Sequence, residues 1–166
     1  MTISMYGASV PVYTRMLTNL LVWLDKAEAH AKERGFDASV LVNDRLAPDM
    51  LPLRGQIQIA TDHVKGSVSR LAGREVPSWK DDEVTIDELR ARIRKALDLL
   101  ATASPADIDG TEDKPITLRN RAGEYVQLGQ SYLLERAMPN FYFHITMAYA
   151  ILRHNGVPVG KSDYIG

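Results

Sequence analysis

"PNFYFHITMAYAILRHNGV", Pro139 to Val157, is the stretch on which the fold turns. Phe141, Ile145, Ala148, Ile151 and Leu152 recur at three- and four-residue steps, the signature of a helix with one buried face. Asn155-Gly156 ends it. Pro139 cannot donate to the carbonyl four residues back, so the chain is predicted to break or kink near Met138 and restart at Pro139. His144 lies in the body of this apolar helix. Such a residue either fills a core edge with its ring nitrogens hydrogen-bonded or binds something.

The rest of the chain supplies helices for it to pack against. From Val10 to Lys32, Val12, Met16, Leu20, Trp23, Leu24 and Ala27 form one stripe, with Ser9 as N-cap, Pro11 in the first turn and Gly35 as the stop. A second helix runs from about Leu53 to Leu71. Ile57, Ala60, Val64, Val68 and Leu71 mark its buried side, and His63 lies at the edge of that stripe. A third, "TIDELRARIRKALDLLATA", opens with Thr85-x-x-Glu88, a capping box. The Pro139 helix is the fourth.

One segment departs from helical spacing. "ITLRNRAGEYVQL" alternates over Ile116 to Arg119 and again over Glu124 to Leu128, around a turn containing Gly123, and predicts a β-hairpin. "RLAPDMLPL" and "EVPSWKDDE" read as loops, Asp37 as the cap of a short turn, and "HNGVPVGKSDYIG" as an irregular tail. The expected fold is all-α: a four-helix bundle with a small hairpin between the third and fourth helices, as one domain over residues 1–166.

Composition narrows the function classes. A net charge of −1 gives no basic field for nucleic acid or acidic lipid. The absence of cysteine removes disulfides, thiolate chemistry and cysteine zinc sites. No apolar run is long enough to span a bilayer, and the first residues lack the basic start and apolar core of a signal peptide, so a cytoplasmic location is expected. The acidic run Lys80 to Glu83 precedes a helix start, where the dipole stabilises carboxylates. His154 reads as a helix-end cation and His30 as solvated.

The stretches "MYGASVPVYTRML", "RLAPDMLPLRGQIQIATDHVKG", "YLLERAMPNFYFHITMAYAILRHNGV" and "GKSDYIG" together resemble an uncharacterised bacterial branch of the DinB/YfiT-like superfamily, a group regarded as metalloenzymes. That resemblance implies a divalent metal held by three histidines, one from the second helix and a His-x-x-x-His pair from the fourth. His144 matches the second member of the pair, and Asn140 stands where the first would be. His63 matches the second-helix ligand, with Asp62 as the alternative register or a supporting carboxylate. Asparagine is a poorer ligand than imidazole for zinc or nickel, so the implied site is degenerate.

Two functions of different class follow. One is a metal-dependent transferase or hydrolase in which a zinc or nickel ion activates water or a thiol, with Asp62 or Tyr149 assisting proton transfer. The other is a non-catalytic bundle that has lost the metal and keeps a small-molecule pocket or a dimer surface. A homodimer is expected in either case, with no nucleic-acid or membrane partner.

Overall fold

The fold was analysed as a computed structural model that describes residues 3–166; Met1 and Thr2, the start of the stretch without signal-peptide character, lie outside it. Four long helices carry the architecture: α1 (Met5–Arg34), α3 (Leu53–Leu71), α4 (Ile86–Ala101) and α7 (Met138–His154). They touch in a ring, α1 to α4 to α3 to α7 and back to α1. Short helices α2 (Ser39–Asn43), α5 (Pro105–Ile108), α6 (Gly129–Ser131) and α8 (Lys161–Ile165) add to them, so four describes the long helices and not the full count. The antiparallel hairpin β1 (Pro115–Asn120) and β2 (Gly123–Leu128) stands where the alternation placed it, between α4 and α7. No helix among the described residues is long and apolar enough to cross a membrane.

The core is built largely from the predicted stripes, except that in α1 Val12 is only half-buried and Tyr13 and Leu17 are fully buried. Leu17, Leu20, Trp23 and Leu24 from α1 meet Ile57, Ala60 and Val64 from α3, Leu89 and Ile93 from α4, and Phe141, Ile145 and Ala148 from α7, all fully buried. Tyr13 meets the edge of Phe141 at 4.7 Å between ring centres. Burying this apolar surface is the main driving force of the fold.

Helix α4 adds two buried arginines. Residues two apart on a helix face nearly opposite ways. Arg90 therefore reaches α1, where it meets Asp25 and Glu28, and also pairs with Asp87 of its own helix. Arg92 reaches α3 and the preceding loop. Its guanidinium binds Asp62 at 2.8 Å, Asp81 at 2.9 Å and Glu83 at 3.0 Å, and its Nε donates to Thr61 at 2.8 Å. Trp79 lies beside the same group, with Lys65, Lys95 and Arg92 around its ring. The acidic run therefore does different work from the expected dipole role. Asp81 and Glu83 neutralise a buried cation, while the first turn of α4 has its own acids, Asp87 and Glu88, and the expected Thr85–Glu88 capping box.

Four further expectations are corrected. Helix α1 begins a turn early, capped by Ser4, whose hydroxyl accepts from Gly7 N–H at 3.1 Å. Ser9 is buried and donates to the Met5 carbonyl, and Pro11 lies inside the helix. Buried Met5 and a 2.7 Å bond from Tyr6 N–H to Asp109 hold the extra turn, contacts that local spacing does not reveal. Asp37 accepts from Ser39 N–H as expected of a turn residue, but Ala38 occupies the cap of α2.

The tail is irregular as expected up to Gly160, but Lys161–Ile165 form α8: Trp23 Nε1 donates to the Asp163 carbonyl at 3.0 Å, Lys26 pairs with Asp163 at 2.6 Å, and Tyr164 stacks on Trp23. At Pro139 the chain stays helical, and the expected break takes the form of a change of register, with the α-helix resuming at Met138 and the proline in its first turn. A π-helical segment, Tyr132–Ala137, leads directly into α7, and Met138 N–H reaches the Leu133 carbonyl five residues back. This wider turn accommodates a proline that an α-helical register would set against a carbonyl.

Removing the buried Arg92 guanidinium strips charge-assisted hydrogen bonds from carboxylates that stay partly solvated, Asp62 and Asp81 more than Glu83, at a cost of about 1.5–3 kcal/mol. Arg92→Ala is therefore expected to lower unfolding free energy by about that amount in urea melts, whereas exposed Arg94→Ala stays within about 0.5 kcal/mol of the parent.

Candidate functional site

Helices α3 and α7 run antiparallel and face each other with two polar rows. On α3, Gln56, His63 and Arg70 recur every seven residues, which is close to two helical turns. On the facing segment, Arg136, Asn140 and His144 recur every four. The rows meet: His144 Nδ1 lies 2.8 Å from Gln56 Oε1, and Arg70 donates to the Tyr132 hydroxyl at 3.1 Å. Between these contacts the rings of His63 and His144 lie nearly parallel, with centres 6.1 Å apart.

The Gln56 contact fixes the state of His144. Gln56 is 2% exposed, and its Nε2 donates to the Leu51 carbonyl at 3.0 Å. Its Oε1 is then the acceptor, so His144 carries its proton on Nδ1 and keeps the Nε2 lone pair free. A carbonyl oxygen behind one ring nitrogen is also the arrangement that orients ligating histidines. Burial depresses the His144 imidazole below its ordinary range. His63 is pushed down to about 4, first by burial, then by His144 and the Arg136 guanidinium, with Asp62 opposing. Both rings are neutral near pH 7.

Of the residues singled out from the sequence, His63 and His144 come together. Asn140 lies one turn before His144, and its amide donates to the Arg136 carbonyl at 2.6 Å, beside the π segment and Pro139. Asp62 lines the same cavity as His63, but its Oδ1 is taken by Lys65 at 2.7 Å and Arg92 at 2.8 Å. Tyr149 is elsewhere. Five positions beyond His144 it turns to another face, where its ring meets Trp23 and Tyr164, both at 5.7 Å. Among the described residues no three His, Asp or Glu side chains converge as a ligand set. His154 is exposed at the end of α7, and His30 is half-buried against Phe36 rather than solvated.

Gln56, Arg70 and Arg136 do not stand out when residues are read singly. The seven- and four-residue steps through His63 and His144 carry the signal. A cavity of about 190 Å³ opens beside His63, lined by Asp62, Arg70, Leu118, Arg119, Tyr132 and Arg136.

A histidine depressed in the folded state opposes folding as it protonates. In metal-free protein the sign is therefore fixed: stability is full above pH 6.5, the ordinary histidine value, and declines as pH falls towards about 4. His63→Gln is expected to flatten this part of the stability–pH curve in urea melts at stepped pH. An unchanged slope would show that His63 is not the responsible group.

The comparisons with known proteins agree with this architecture. No curated protein matches the chain. The crystal structure of a DinB family member protein from Shewanella denitrificans is 43% identical, with a TM-score of 0.89, covering 97% of this chain and 91% of that one. Residues 5–165 match the model of a domain of unknown function, DUF1993. The chain belongs to this DUF1993 family, a DinB-like family of helical proteins without an assigned reaction.

Proposed function

We propose that the His63–His144 pair is the working centre of a divalent-metal-dependent protein of transferase or hydrolase type. The observation that supports this reading is the meeting of two neutral imidazoles from α3 and α7, one of them oriented by buried Gln56. As a donor set, two imidazoles suit zinc or nickel. His63 and His144 would hold the ion, and the Asn140 amide oxygen would be a weak third donor. Such an ion supplies a Lewis acid that makes bound water or a thiol nucleophilic near neutral pH. The chain contributes the orientation of His144 through Gln56 and a cavity wall at His63, with Asp62 held back by Lys65 and Arg92.

A second reading has its own support. The same cavity presents Arg70, Arg119 and Arg136, which suits a bundle that binds a small molecule without any metal. In both readings we propose a homodimer, since Val126, Leu128, Leu134 and Phe143 expose apolar surface. Light scattering at micromolar concentration is expected to give twice the chain mass, and a monomer throughout dilution would reject the pairing.

Metal affinity decides between the two readings. Asn140→His introduces a third imidazole four residues before His144 and is expected to raise zinc affinity at least about tenfold by calorimetry. His144→Ala is expected to abolish binding. Unchanged zinc affinity in a folded Asn140→His protein would reject the metal reading, since a gain, unlike a loss, cannot come from misfolding.

A further inference from the structure

The cavity beside His63 holds an unbalanced concentration of positive charge. Arg70 comes from α3, Arg119 from β1 and Arg136 from the π segment, and all three line the same 190 Å³ space. None of them forms an ion pair with a described residue. Asp62, the carboxylate in the wall, already carries Lys65 and Arg92 on its Oδ1. Glu124 is the cross-strand neighbour of Arg119 but forms no ion pair among the described residues. The two buried arginines of α4 are each met by three carboxylates. The fold thus neutralises its two buried guanidiniums on α4 and leaves half-buried Arg70 and Arg136 and exposed Arg119 without an ion pair among the described residues.

Two of the three are also held in place. Arg70 donates to the Tyr132 hydroxyl, and its guanidinium lies 6.0 Å from the centre of that ring. Gly66 makes this position available, because a Cβ there would stand 2.5 Å from Arg70 Nη1. Arg136 lies 5.5 Å from the centre of the Tyr125 ring, whose buried hydroxyl has no hydrogen-bond partner among the described residues. Stacked guanidiniums lose little freedom on meeting an anion and can bind its oxygens in bidentate fashion. Since Tyr132 Oη accepts from Arg70, its own O–H proton can be donated.

We propose that this cavity binds the anionic group of a small molecule bearing two or more negative charges on compact oxygens, a phosphate monoester or a short polycarboxylate. Arg70, Arg119 and Arg136 hold the oxygens, and Tyr132 donates a further hydrogen bond. His63 then stands at the same wall, next to the remainder of the ligand. The proposal rests on the preceding reading only in taking His63 and His144 as the reacting end. Anion binding itself requires no metal, so the two fail separately.

The test uses the full chain stripped of metal with EDTA and dialysed, titrated by calorimetry with inorganic phosphate and, in parallel, with citrate at constant ionic strength. Saturable binding of one equivalent per chain is expected for at least one probe. Phosphate alone would assign a phosphorylated ligand, citrate alone a polycarboxylate, and both the shared oxyanion chemistry. Arg119→Gln is the decisive variant, because Arg119 is exposed on the hairpin and its replacement leaves the bundle core untouched. It should weaken binding by about tenfold, the loss of one charge-assisted contact. Arg121→Gln, which removes an equal charge from the hairpin turn outside the cavity, should change nothing. Gly66→Ala keeps every charge but displaces the Arg70 guanidinium, and should weaken binding severalfold. No saturable binding of either probe, or equal losses in Arg119→Gln and Arg121→Gln, would overturn the proposal.

Discussion

The charge cluster on Arg92 governs more than the joint between α3 and α4. Arg92 is 3% exposed, and its guanidinium takes up three carboxylates from α3 and the loop before α4. Burial alone would raise the Glu83 carboxyl, but hydrogen bonds from Gln58 and Arg92 bring it below its ordinary range. One of the three carboxylates is Asp62, next in sequence to His63. His63 is depressed first by its burial, then by His144 and Arg136, with Asp62 opposing and Arg70 adding; the opposing carboxylate is the one that bonds Lys65 and Arg92. Arg92 thus reaches the candidate site through Asp62, which lines the same cavity as His63, although Arg92 itself does not line that cavity.

Local patterns in the sequence were enough to locate the elements that bury one face. The α4 capping box, the stripe of α3 and the alternation of the hairpin all lie within a few residues, and all were found where expected. Features that depend on distant partners were not legible. Ser4 outranks Ser9 as the cap because Met5 and Asp109 hold an extra turn. The last turn of the tail, α8, is helical because Trp23 and Lys26, about 140 residues earlier, bind Asp163. Arg90 and Arg92 read as ordinary surface charges of an amphipathic helix until the helices on either side are in place.

The candidate site was legible in the same proportion. Resemblance and helical spacing brought out His63 and His144, and the fold brings them together. Asn140, read as a degraded ligand, also has a backbone role, satisfying the Arg136 carbonyl next to a disturbed stretch of helix. The partners that define the state of the site, Gln56 for the tautomer of His144 and Arg136 for the charge beside His63, lie on the same rows as the histidines. The sequence alone does not single them out, because an isolated Gln or Arg carries no chemical signature.

The π segment gives this pairing a vernier. An α-helix turns each residue by about 100°, so one residue more or less redirects everything beyond it. Tyr132–Ala137 makes room for one extra residue between the hairpin and α7. Tyr132 at the start of the segment is anchored to Arg70, and His144 downstream to Gln56, so the two are locked to points fourteen residues apart on α3. A deletion of a single residue within the segment could keep its helicity and its hydrophobic content. It could not keep both locks, since restoring one would swing the other away from α3. Length in this short stretch is thus constrained more tightly than composition, and relatives that differ widely in side chains can share the site only if they share that spacing.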